Sequence, residues 1–273
     1  MTEKSPHPDG TAGLEPLRER VSAFGRSDAD ALEVEPALRE DRRNLVAALR
    51  GLGPANAEAK FAARLAEPYR LLADCGLREL PRDANDEAIA LALERELGAM
   101  ASPHPGTLLA ATLLCHGYEL PLPAALDGIP EWLLPDYARF LLRQPRIFHE
   151  PGDAERFRLH LAGTVTILHR YLLRRPSAAP AAALSKLFVN EARFMQLYFN
   201  DANLRDVFRQ RAEILEHWLL SRKAPLAQPY ALRPEGAPAR RLRVGVLAAE
   251  VGAHTETYFT LAHIERLPAR AAA

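Results

Sequence analysis

The sequence predicts a mainly α protein, an irregular helical bundle followed by one short strand–loop–helix unit. Apolar residues recur at three- and four-residue spacing between Pro, Gly and Asp/Asn punctuation through most of the 273 residues. Pro225, Pro229, Pro234 and Pro238 then make residues 223–239 an extended joint that cannot stay helical. Beyond it, LRVGVLAA at residues 242–249 is short, β-branched and bounded by a turn, the pattern of a buried parallel strand. No solenoid-length repeat is visible, so the bundle is irregular.

In chain order, residues 1–16 are polar and Pro/Gly-punctuated, a disordered leader. A helix opened by Pro36 carries Leu38, Leu45, Val46 and Leu49 on one face and ends at Gly51, which is suited to a left-handed cap. Pro54 opens the next, through Phe61, Leu65, Tyr69 and Leu72 to Gly76, with a kink or break at Pro68. Asn85 or Asp86 caps a third, whose stripe is Ile89, Leu93 and Leu97. Residues 103–116 are apolar nearly all round, which places that helix in the middle of the domain.

Prolines 121, 123, 130 and 135 allow only short pieces before a brief helix over residues 136–143. Pro151, Gly152 and Asp153 start a long helix through Phe157, Leu161, Val165, Leu168 and Leu172. A helical stretch over residues 181–199 follows. Asp201 opens a last helix with Leu204, Phe208, Leu215, Trp218 and Leu219 on one side. These aromatic stripes read as core packing.

Composition narrows the function. Lys+Arg and Asp+Glu both number 35, so no net field draws the chain to nucleic acid or an anionic membrane. The two cysteines, Cys75 and Cys115, lack disulfide or zinc-site spacing and read as buried thiols in a reducing compartment. No signal peptide or span of about 18 apolar residues occurs, which predicts a cytoplasmic protein.

Some residues invite chemistry and are set aside. His160 and His169, nine apart on one helix, do not share a face, so no common metal is expected. Nothing orients Cys115 and His116 as a dyad, and the flanking LLAATLL argues for burial. Arg139, Arg143 and Arg146 read as solvated charge near Phe148 and His149.

The loop after the strand lies where open α/β sheets place their ligands. The segment VGVLAAEVGAHT, residues 244–255, resembles the opening of the catalytic region in the O-linked N-acetylglucosamine transferase family, the SPINDLY-like group of glycosyltransferase family 41. There a strand of the type [IV]-G-[YF]-[VL]-S-S/P precedes Asp-Phe-x-x-His-Pro. Gly245 matches the strand glycine and His254 the loop histidine. Glu250 stands where the family has Asp, Val251 where it has Phe, and Thr255 replaces the proline. Residues 187–220 are similar to the non-repeat helical region joined to the transferase part in bacterial members, so the resemblance covers roughly residues 151–267.

The resemblance implies inverting transfer from a UDP-sugar to a protein side chain on a two-lobed GT-B framework, with the strand–loop–helix beginning a Rossmann-like lobe. His254 would position or help deprotonate the attacking group, and Glu250 would orient that imidazole or cap the following helix. The expected organisation is a leader at 1–16, a helical domain at 17–222, a linker at 223–239 and the truncated start of a catalytic lobe at 240–273. The nucleotide-binding lobe has no counterpart in these residues, so the chain alone is expected to be inactive. No bound cofactor or metal is expected, a UDP-sugar donor belonging to a full-length enzyme only. The expected partner is a polypeptide acceptor, with neither nucleic acid nor membrane, and the incomplete sheet would favour self-association. The alternative is a non-catalytic helical module that recruits polypeptides.

Overall fold

A computed structural model describes residues 14–53, 56–99, 104–175, 179–222 and 257–258. The chain separates into two compact units, Met1–Ala227 and Gln228–Ala273. Of the second, Thr257 and Tyr258 are described, both with helical backbone. The strand expected over residues 242–249, its loop, and the sheet on which self-association would rest lie outside the described residues.

The first unit is mainly α. Its helices are α1 (Glu15–Phe24), α2 (Asp28–Arg50), α3 (Ala57–Lys60), α4 (Ala66–Asp74), α5 (Ala84–Ala99), α6 (Pro105–Leu114), α7 (Leu134–Leu142), α8 (Asp153–Arg174), α9 (Ala179–Glu191) and α10 (Arg205–Ser221). Helix α6 is buried at every residue from Gly106 to Leu114, as its all-round apolarity predicts. Helices α2, α4 and α5 pack around it, α1 lies on α2, and α7 joins α6 to a second group made of α8, α9 and α10. Four of the α6 leucines, Leu108, Leu109, Leu113 and Leu114, are at most 1% exposed. Each contributes roughly 1.5–3 kcal/mol of burial.

Several boundaries differ from expectation. Helix α2 begins at Asp28, with the Ser27 hydroxyl accepting from the Asp30 N–H, so Pro36 lies inside the helix. A free cap and an acidic first turn outweigh one lost hydrogen bond. Gly51 ends α2 at φ −75°, in right-handed conformation, so no left-handed cap forms there. A π-helical turn, Phe61–Leu65, stands between α3 and α4. Pro68, in the first turn of α4, cannot donate to Arg64, and the wider turn sits where that bond is missing. Gly76 takes φ +92°, so there the chain does need glycine to leave α4. The stretch expected to be helical over residues 181–199 splits into α9 and a 3₁₀ turn, Met195–Phe199. Helix α10 starts at Arg205, four residues past Asp201, and only Ile214 of it is buried.

Two glycines set close approaches. A Cβ on Gly106 would lie 2.1 Å from the Leu49 carbonyl oxygen, so α2 and α6 meet there backbone to backbone. A Cβ on Gly117 would lie 2.8 Å from Nε2 of His160.

Candidate functional site

An open cleft of about 670 Å3 lies on the first unit. It is lined by the stretch Arg78–Arg82, by Glu87 and Glu94 of α5, by His116 and the 3₁₀ turn Gly117–Glu119, and by the loop that enters α8 with the first turn of that helix. The cleft lies between the helices around α6 and the group begun by α8.

Arg82 organises one wall. Its guanidinium grips Glu119 at 2.8 and 3.0 Å, reaches Glu87 at 2.6 Å, and donates to the Leu114 carbonyl at 3.3 Å. Glu119 also accepts from the His116 N–H at 2.7 Å, which closes the turn after α6. This bidentate fork is the stronger kind of ion pair and holds the wall rigid. His116 stacks on Tyr118 with ring centroids 5.4 Å apart, and Tyr118 meets Phe157 edge-on at 6.2 Å. Burial lowers the His116 imidazole pKa, against the opposing pull of Glu119 and Glu79, so the ring is neutral at physiological pH. Burial, then the charges of Asp153 and Glu119, raise the Tyr118 phenol, so it stays protonated.

Asp153 forms the opposite wall. It accepts from the backbone N–H groups of His149 at 3.0 Å and Glu150 at 2.9 Å, and pairs with Arg156. Burial acts to raise this carboxyl, but Arg156 and the two N–H groups outweigh it and hold it below the usual range. The N–H groups it caps belong to the turn before α8, made possible by Gly152 at φ +96°.

Five carboxylates (Glu87, Glu94, Glu119, Glu150 and Asp153) face three guanidiniums (Arg78, Arg82 and Arg156) in this cleft. Its balance is acidic. Glu94 and Glu150 are exposed, and Glu150 has only a loose 3.4 Å contact to Arg156. Such a surface can hold a cationic or hydrogen-bonding ligand; it offers no positioned nucleophile. Among the described residues, no three His, Cys, Asp or Glu side chains are grouped to hold a metal ion.

Beside the cleft, past His149 and Glu150, lies an apolar ridge. Ile147, Met195, Tyr198 and Phe199 are 64–73% exposed, and Phe199 meets Phe148 edge-on at 6.3 Å.

No family model, no curated protein and no solved structure matches the chain.

His254 and Glu250 lie outside the described residues. His160 and His169 go separate ways: His160 donates from Nε2 to the Leu141 carbonyl at 2.8 Å, and His169 pairs with Glu213 of α10. Cys115 is buried and its thiol pushed up to about 12, chiefly by burial, so it is no nucleophile beside His116. Cys75 is only partly buried. Arg139 and Arg143 remain solvent-accessible charges, held in surface ion pairs, Arg139 with Asp136 and Glu191 and Arg143 with Asp74. Among the described residues no helix is long and apolar enough to cross a membrane.

Sequence reading missed Arg82, Glu119 and Asp153 as site residues. The signal was weak but present. Arg82 and Glu119 flank proline-broken connectors, where a charge has no helix face to decorate. Asp153 follows a Pro-Gly pair, where a carboxylate serves the preceding turn as well as the helix.

Proposed function

We propose that the first unit is a polypeptide-binding domain, the acceptor-side part of a cytoplasmic UDP-sugar-dependent protein glycosyltransferase akin to family 41. The observation that carries the binding role is the make-up of the cleft, open, acidic in balance and free of a positioned nucleophile, with an apolar ridge along its rim. A polypeptide segment bearing basic and hydroxyl side chains fits that combination, its cations against Glu94 and Glu150 and an apolar residue on Phe199. The transferase part of the reading rests on the resemblance of residues 244–255 and 187–220. In it, residues 240–273 begin a Rossmann-like lobe in which His254 stands beside the acceptor and Glu250 caps the helix after the loop.

Titration of fluorescent peptides tests the reading. A Ser/Thr peptide with flanking Lys or Arg binds, and its acidic counterpart does not. The double change Glu94→Lys, Glu150→Lys weakens the basic peptide about tenfold, at roughly 0.7 kcal/mol per rim charge. Equal binding of both peptides would overturn the assignment. Adding UDP-N-acetylglucosamine and reading sugar transfer, with His254→Ala as control, tests the transferase part on a protein that also carries a nucleotide-binding lobe.

A second reading, a recruitment module without chemistry, is favoured by the ridge alone. Its mark would be an apolar peptide whose binding is lost in Phe199→Ala yet untouched by the charge reversals.

A further inference from the structure

Arg78 is 8% exposed and, among the described residues, has no carboxylate partner. Its Nη2 donates to the Ala73 carbonyl at 3.0 Å, its Nε has no partner, and its guanidinium carbon lies 5.8 Å from the centre of the Phe140 ring. The same Ala73 oxygen accepts from Nη1 of Arg143 at 2.8 Å. Two guanidiniums thus converge on one neutral carbonyl. Arg143 has Asp74 as its counter-ion at 2.9 Å, but a carbonyl dipole is a poor counterweight for buried Arg78, and leaving a buried charge uncompensated is costly. Burial first, and then the like charge of Arg143, lower Arg78 to about 10, which still leaves it charged at neutral pH.

Both arginines line a pocket of about 200 Å3 between α4 and α7, separate from the acidic cleft. Arg70 and Arg139 complete a set of four guanidiniums there, against the carboxylates Asp74 and Asp136. Arg70 has no ion-pair partner among the described residues, and Arg139 is already committed to Asp136 and Glu191. The floor supplies no rival negative charge. Thr112 donates to the Leu109 carbonyl at 2.7 Å, so the Tyr69 hydroxyl, 2.7 Å from Thr112, must be the donor in that pair, and burial keeps it protonated.

We propose that this pocket is an oxoanion site that takes one phosphate group, free or as the end of a small phosphomonoester, on Arg78, Arg143 and Arg70. Planar forks suit tetrahedral oxoanions, and a phosphate supplies the negative charge that the Ala73 carbonyl cannot give Arg78. The pocket volume admits a group of five heavy atoms with room to spare, since a water occupies about 30 Å3. Arg78 also borders the acidic cleft, but five carboxylates there repel an anion, which places the ligand on the α4–α7 side.

Thermal unfolding of the full chain, with inorganic phosphate and with phenyl phosphate against chloride at matched ionic strength, tests the proposal. Inorganic phosphate raises the midpoint in a saturable way; an equal or larger rise with phenyl phosphate identifies a monoester site, and a rise with inorganic phosphate alone identifies a free-anion site. Arg78→Met leaves the phosphate-free midpoint unchanged or higher, because it deletes an uncompensated charge, and weakens phosphate at least ~10-fold. The exposed Arg70→Gln weakens it several-fold without touching the fold, and Asp74→Asn, which frees Arg143, strengthens it. A phosphate effect of the same size in wild type, Arg78→Met and Arg70→Gln would be a general salt effect and overturn the site. So would no phosphate effect at all.

Discussion

The Arg42 guanidinium and the Asp86 carboxylate meet at 2.5 Å, with 1% and 0% of their side chains exposed. Arg39 reaches the same carboxylate at 2.8 Å and Arg43 at 3.3 Å, so three arginines of α2 converge on the third residue of α5. Asp86 is not the cap of α5. Asp83 is, accepting from the Asp86 N–H at 2.8 Å. Removing one partner of such a cluster leaves buried charge behind, so Asp86→Ala is expected to cost about 3–5 kcal/mol in urea unfolding. A loss under 1 kcal/mol would mean that the arginines find water instead.

Gly106→Ala puts a methyl group 2.1 Å from a main-chain oxygen of α2, where no side chain can yield. Separation of α2 from α6 is expected to cost about 2–3 kcal/mol. Gly163→Ala, whose nearest neighbour is the tip of Leu122 at 2.5 Å, should cost far less because that tip can rotate away. Chemical denaturation of both variants provides the comparison; equal losses contradict it.

Buried His116 and His160 are both held below the ordinary imidazole range, by burial first. The unfolded chain then binds protons that the folded chain refuses. Stability is therefore complete above about pH 6.5 and declines as the pH falls below it. His160→Gln keeps a donor for Leu141 and cannot titrate, so its urea midpoint should fall less between pH 7.5 and 5.5 than that of wild type. Parallel slopes would remove His160 from the account.

Asp153 works in a lower window. Its depressed carboxyl contributes stability above about pH 4 that is lost as the pH drops through its folded value. Asp153→Asn should be less stable than wild type at pH 7, and the difference should shrink towards zero at pH 2–3. A constant difference across that range would show that the loss comes from packing.

The mainly α class and the burial of α6 were legible because they rest on local spacing: LLAATLL leaves no polar face for solvent. The core stripes of α2 and α8 were legible for the same reason. Arg39, Arg42 and Arg43, at i, i+3 and i+4 beside Leu38 and Leu45, were written on the buried face as well. Their spacing does not reveal a role by itself, because the acid that neutralises them is more than forty residues away in sequence.

Helical periodicity and proline punctuation belong to the sequence by itself, since each depends on neighbours within a turn or two. Tertiary structure alone decided that Asp86 is a buried hub, that Arg82 and Glu119 brace a cleft, and that Arg78 and Arg143 share one carbonyl. Charge compensation acts through space between distant segments. The same arginine is decoration or site according to what the fold sets against it.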